Sequence, residues 1–123
     1  MEIKELRLGN LVSYRGEISK ITGLCDNCLV RVSNDSGDIT LQIGELSSIQ
    51  LTESWFKENG FVENNNYGFP ILSNSILRAD VYDTGNGWHI HIDDRDYCTS
   101  FSGVVKDLHT LQNIYFFSTG DDL

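Results

Sequence analysis

Over the first 51 residues, apolar and polar positions alternate in short runs broken by turn formers. Leu11 to Tyr14, Glu17 to Leu24 and Leu29 to Val32 are separated by Arg15-Gly16 and Asp26-Asn27, and Asn34-Asp35-Ser36-Gly37 precedes Ile39, Leu41 and Ile43 on alternate positions. A period of two marks strands with one buried face, and turns this short make neighbouring strands antiparallel. Five short strands over about 45 residues suit a small closed barrel of the SH3-like kind, because closure removes the edges that such strands expose.

Beyond Leu51 the pattern changes. Thr52 is a candidate N-cap, Glu53 favours the first turn, Leu51 stands where it can staple against Phe56, and Gly60 supplies a left-handed stop. The spacing predicts a short helix at 53–59 with Trp55 and Phe56 on its buried side. Asn64-Asn65-Asn66-Tyr67-Gly68 reads as a polar linker. Strands are expected near 67–72, 76–83, 87–93 and 96–101, with Gly85-Asn86-Gly87 and Asp94-Arg95 as hairpin turns. Val104, Leu108, Leu111 and Tyr115 recur at helical spacing, and with Ser102 as cap and Gly120 as stop they predict an amphipathic helix at 103–118. His109 is expected on its solvent side. The fold class is therefore α+β: an N-terminal small SH3-like β-barrel (1–51), then a lobe (52–123) of short helix, antiparallel meander and C-terminal amphipathic helix, the two folding as one compact unit.

Composition bounds the partners. The 123 residues are 40% hydrophobic and 22% charged, near globular averages, and no apolar run is long enough to span a membrane. Eighteen acids oppose nine bases for a net charge of −9. Residues 62–123 alone hold nine acids and three bases, a field that repels phosphate and argues against nucleic acid and anionic membranes as partners. Met1-Glu2-Ile3-Lys4-Glu5 lacks the basic start and apolar core of a secretory signal, so a cytoplasmic location is expected. Cys25, Cys28 and Cys98 are odd in number, which fits free thiols in a reducing compartment.

The hairpin turns also imply a register. Pairing Asp83 with Trp88 sets Val81 against Ile90 and Ala79 against Ile92 on an apolar face, and Tyr82 against His89, Asp80 against His91 and Arg78 against Asp93 on a polar one. Pairing Ile92 with Tyr97 then places Cys98 beside His91 and Ser100 beside His89, giving a row Asp80–His91–Cys98. Adjacent strands stand about 4.8 Å apart, so acid, base and thiolate are within reach of one another. A catalytic thiolate also needs an oxyanion site, and no helix N-terminus or glycine-rich loop flanks Cys98, so the face is read as non-catalytic. Its ligand-binding candidates are Arg78, Tyr82, Trp88, His89, His91 and Arg95, rings that stack on a base and cations that hold a phosphate. Trp88 has a competing core role, since the same register sends it to the apolar face with Phe101.

Cys25-Asp26-Asn27-Cys28 has the spacing of a zinc half-site, with His89-Ile90-His91 or Cys98 available to complete it. Without a second Cys-x-x-Cys, no metal is expected, and no cofactor is called for. Gly-x-x-x-x-Gly-Lys, Gly-x-Gly-x-x-Gly, His-Glu-x-x-His and Gly-x-Ser-x-Gly are all missing, so most common enzyme classes lack support.

Leu8-Gly9-Asn10-Leu11-Val12 with Tyr14, Gly16 and Ile18, then Ile49-Gln50-Leu51-Thr52-Glu53-Ser54-Trp55 with Gly60-Phe61, and Leu108-His109-Thr110-Leu111-Gln112-Asn113-Ile114-Tyr115-Phe116 with Thr119-Gly120, span nearly the whole chain. In this ordering the sequence resembles small uncharacterised proteins of phages and mobile elements of gut anaerobes. The resemblance implies an origin and carries no functional residue across. Together with the acidic, motif-free composition it points to a non-catalytic accessory binding protein, suited to counter-defence, that occludes a host protein. The alternative is a sponge that sequesters a nucleotide-derived signalling molecule. A Cys/His-dependent enzyme and a virion structural component rank below both, and homo-oligomerisation is left open.

Overall fold

The computed structural model describes residues 1–25, 28–65, 68–94 and 99–123. Its backbone clusters into two units, Met1–Gln50 with Asp107–Asn113, and Leu51–Lys106 with Ile114–Leu123. The class is α+β, two antiparallel sheets with two helices. No helix among the described residues is long and apolar enough to cross a membrane.

The first unit holds β1 (Leu11–Tyr14), β2 (Glu17–Leu24), β3 (Leu29–Asn34), β4 (Gly37–Gln42) and β5 (Leu46–Ser47). Their order in the sheet is β4-β3-β2-β1-β5. The two-residue turn between Tyr14 and Glu17 puts Arg15 and Gly16 at φ 49° and 81°, the positive values that match the twist of the flanking strands. Between Ile21 and Gly23 the register with β3 slips, a bulge that sharpens the local twist of a sheet curled into a half-barrel. Val12, Ile21, Val30, Val32, Leu41 and Leu46 form its buried core with Leu6. The alternation expected at Ile39, Leu41 and Ile43 is only partly used: Leu41 is buried, while Ile39 stays 40% exposed. A 3₁₀ turn at Ile43–Glu45 reverses the chain, and β5 returns to pair with β1 at Ser13↔Ser47 and Tyr14↔Leu46.

The second unit begins with α1 (Glu53–Glu58), where Trp55 N–H donates to Thr52 Oγ1 at 3.1 Å. Gly60, at φ +88°, ends the turn, and Phe61 N–H closes onto the Phe56 carbonyl at 3.0 Å. Strands β6 (Val62–Asn64), β7 (Ile71–Asn74), β8 (Ala79–Asp83), β9 (Trp88–Asp94) and β10 (Thr99–Val105) follow in the order β10-β9-β8-β7-β6. Phe56 is fully buried, edge-on to Phe61 at 5.1 Å and tilted against Trp88 at 4.7 Å. Leu72, Val81, Ile90 and Ile92 continue this core along the inner face of the sheet.

Three expectations are corrected. The strand placed near 67–72 lies at Ile71–Asn74 and pairs with β6, which the polar asparagines had concealed. The strand placed at 76–83 starts only at Ala79, because Asn74 Oδ1 accepts the N–H groups of Ile76 and Leu77 and Arg78 takes φ 55°, so those residues form the turn. The helix placed at 103–118 is α2 (Leu108–Thr119). Val104 and Val105 pair instead with His89 and Trp88, and a ladder that uses their backbone groups leaves none for a helix.

His109 is corrected too. It is 3% exposed rather than on a solvent side, within the first unit's share of α2. Beside it, Gln112 Oε1 accepts Leu11 N–H at 2.8 Å, and Asn113 Nδ2 donates to the Glu5 carbonyl at 2.8 Å.

Candidate functional site

The candidate site is the outer face of the second unit's sheet. Two-residue alternation along β8 sends Ala79 and Val81 to the core and Asp80 and Tyr82 outward, and β9 answers with Ile90 and Ile92 inside and His89 and His91 outside. The pairs Asp83↔Trp88, Tyr82↔His89, Val81↔Ile90, Asp80↔His91 and Ala79↔Ile92 are those expected from the turn, and Asp93 N–H donates to the Arg78 carbonyl at 3.1 Å.

The register between β9 and β10 differs from the expected one. Ile92 pairs with Phe101, so Ser102 stands opposite His91 and Val104 opposite His89. Cys98 and Arg95 lie outside the described residues, and Ser102 takes the place the sequence reading assigned to Cys98. A single row therefore crosses all five strands: Val62, Ser73, Asp80, His91, Ser102.

Within that row Ser73 Oγ donates to Asp80 Oδ1 at 2.6 Å, and Asn64 Nδ2 donates to Ser73 Oγ at 3.3 Å. The Ser102 hydroxyl bonds diagonally to His89 Nε2 at 3.0 Å. The His89 ring lies nearly parallel to Tyr82 (19°) at 4.7 Å between centroids, and Phe69 meets Tyr82 edge-on at 5.3 Å. At one end of the face a concavity of about 570 Å³ is bordered by Ser73, Arg78, Asp80, His91 and Asp93. Two carboxylates thus share it with one guanidinium and an imidazole.

The structure brings Arg78 and His91 together at this concavity and stacks Tyr82 on His89 beside it. Trp88 belongs to the other side: its indole N–H donates to the Leu51 carbonyl at 3.2 Å and its ring packs on Phe56. Ser73, Ser102, Val62 and Asn64 were missed in the sequence. Strand assignment would have found them, since each follows from register once β6 and the β9–β10 pairing are known. Cys25 and Cys28 are free and exposed, and among the described residues no group of three or more His, Cys, Asp or Glu is placed to hold a metal ion.

No family model, curated protein or solved structure matches this chain.

Proposed function

We propose that this chain is a non-catalytic binding protein that covers a surface of a partner protein in the host cytoplasm, an accessory protein of the kind carried by phages and mobile elements and suited to counter-defence. The observation that carries the reading is the five-strand row with its flanking rings. Val62 and Val104 are 66% and 54% exposed, and between them lie a serine, a carboxylate, an imidazole and the Tyr82–His89 stack. Such an open face, mixing apolar and hydrogen-bonding groups, suits a complementary protein surface. The sponge reading gains less. Asp80 and Asp93 oppose a phosphate at Arg78, and a base seeking Tyr82 meets a ring already stacked on His89 and edged by Phe69.

The first unit adds an analogy of fold. A meander in which a 3₁₀ turn leads the last short strand back onto the first is the arrangement of small SH3-like barrels, and we read the unit as one. The analogy alone assigns no site.

The test is photo-crosslinking in a gut-anaerobe host, with the reactive group at position 91 and, for comparison, at position 35 of the first unit. A discrete protein adduct from position 91, lost when His89→Ala and Val104→Asp are added to a chain that still folds, is the expected result. Absence of an adduct together with a nucleotide retained in native mass spectrometry overturns it in favour of the sponge.

A further inference from the structure

A second cavity of the same unit, of about 290 Å³, differs in chemistry from the polar concavity. It is lined by buried Leu72 and Val81 and by the rings of Phe69, Tyr82 and Trp88. Its rim carries three carboxylates, Glu53 on α1, Glu63 on β6 and Asp83 at the end of β8. Tyr82 borders this cavity and also stacks on His89 of the outer face.

The rim already holds a cation of the chain itself. Lys57 Nζ lies 3.2 Å from Glu53 Oε1 and 3.2 Å from Glu63 Oε1. The hydrogen bonds to Glu53 and then to Glu63 raise its pKa above the usual lysine value. One ammonium against three carboxylates leaves the rim at −2, in a chain of net −9. An apolar lining under a negative rim fits a side chain with an aliphatic stem and a cationic head, which buries the first and keeps the second at the edge.

Resting on the occlusion reading above, we infer that this acid-rimmed aromatic pocket receives an arginine side chain of a basic partner segment. Arginine is favoured over lysine for two reasons. Its planar guanidinium can lie against the ring of Phe69, which is 49% exposed, while its fork of donors bonds two carboxylates, and Lys57 already supplies the compact point charge between Glu53 and Glu63.

The experiment is a titration of the full chain with tetra-arginine amide and tetra-lysine amide, followed by the indole N–H resonance of Trp88, with Trp55→Phe used to assign it. Tetra-arginine is expected to shift that resonance saturably and to bind more tightly than tetra-lysine. Glu63→Gln with Asp83→Asn should weaken it at least about tenfold, whereas Asp35→Asn with Asp38→Asn, which removes the same charge from the first unit, should weaken it less than about twofold. Lys57→Gln should tighten it roughly threefold, by freeing the rim of its internal competitor. Equal loss from both charge pairs, weaker binding in Lys57→Gln, or no preference for arginine overturns the assignment. The two proposals separate cleanly. A host-protein adduct that survives Glu63→Gln/Asp83→Asn while tetra-arginine leaves Trp88 unmoved defeats the pocket and leaves occlusion standing; saturable peptide binding with no adduct does the reverse.

Discussion

Asn10 Nδ2 donates to Asn113 Oδ1 at 2.8 Å, joining positions 103 residues apart in the chain. Asn10 is fully buried, and its Oδ1 accepts the Arg7 N–H at 2.7 Å, so both ends of the amide are used. Asn113 in turn donates to the Glu5 carbonyl. Removing one member strands buried polar groups, so Asn10→Ala is expected to cost about 1–3 kcal/mol. Because the partners form one network, Asn10→Ala with Asn113→Ala should cost less than the sum of the two. Urea denaturation of the four chains of this cycle measures both, and strictly additive costs would show that the two amides do not act as a unit.

The buried imidazole of His109 makes stability depend on pH. Desolvation lowers its pKa below the ordinary 6.5, as does the N-terminal ammonium to a lesser degree, while the carboxylates of Asp107 and Glu5 oppose the shift. Among the described residues its Nδ1 has no hydrogen-bond partner, and Nε2 is 4.0 Å from Glu5 Oε2. The unfolded chain therefore takes up this proton at a higher pH than the folded one. The contribution of neutral His109 is complete above pH 6.5 and is lost as the pH falls through the lowered folded value. Urea midpoints between pH 7.5 and 5 should fall, and should fall less steeply in His109→Gln. An identical slope in the variant removes His109 as the source.

Neighbouring positions of β9 should respond in opposite ways. Ile92 is 1% exposed on the core face, and Ile92→Ala is expected to cost about 2–5 kcal/mol. His91, one residue before it, faces outward, and His91→Ala should stay within about 0.5 kcal/mol. Thermal unfolding of both variants tests which face of β9 is buried, and a large loss from His91→Ala would mean that the outer face is covered.

Cys25 and Cys28 are exposed and free, so both should react with a thiol reagent in the folded protein without denaturant. Chelator treatment is expected to leave the thermal midpoint unchanged. Stoichiometric zinc that disappears in Cys28→Ser would overturn that expectation.

Several elements were legible in the sequence because the forces that shape them are local. The turn Arg15-Gly16 sits between alternating runs and places β1 and β2; Thr52 and Gly60 bracket α1; the hairpin between β8 and β9 has the pairing its turn implies, including Asp80 with His91. In each case a few consecutive residues carry both the stop signal and the periodicity on either side of it.

The third strand of the candidate site was decided elsewhere. Pairing Ile92 with Phe101 instead of Tyr97 moves β10 by four positions, and an even shift leaves inward and outward positions unchanged, so alternation cannot distinguish the two registers. That shift set Ser102, not the position of Cys98, against His91. The polar stretch of α2 is a second case. His109 reads as solvent-facing, yet it is buried, and beside it Gln112 accepts from Leu11 and Asn113 meets Asn10. Sequence periodicity determined which residues of β8 and β9 share a face and where the turn between them lies. Only the tertiary structure decided which strand, and which buried amide, each face would meet, because those pairings join groups distant in the chain whose complementarity no local pattern records.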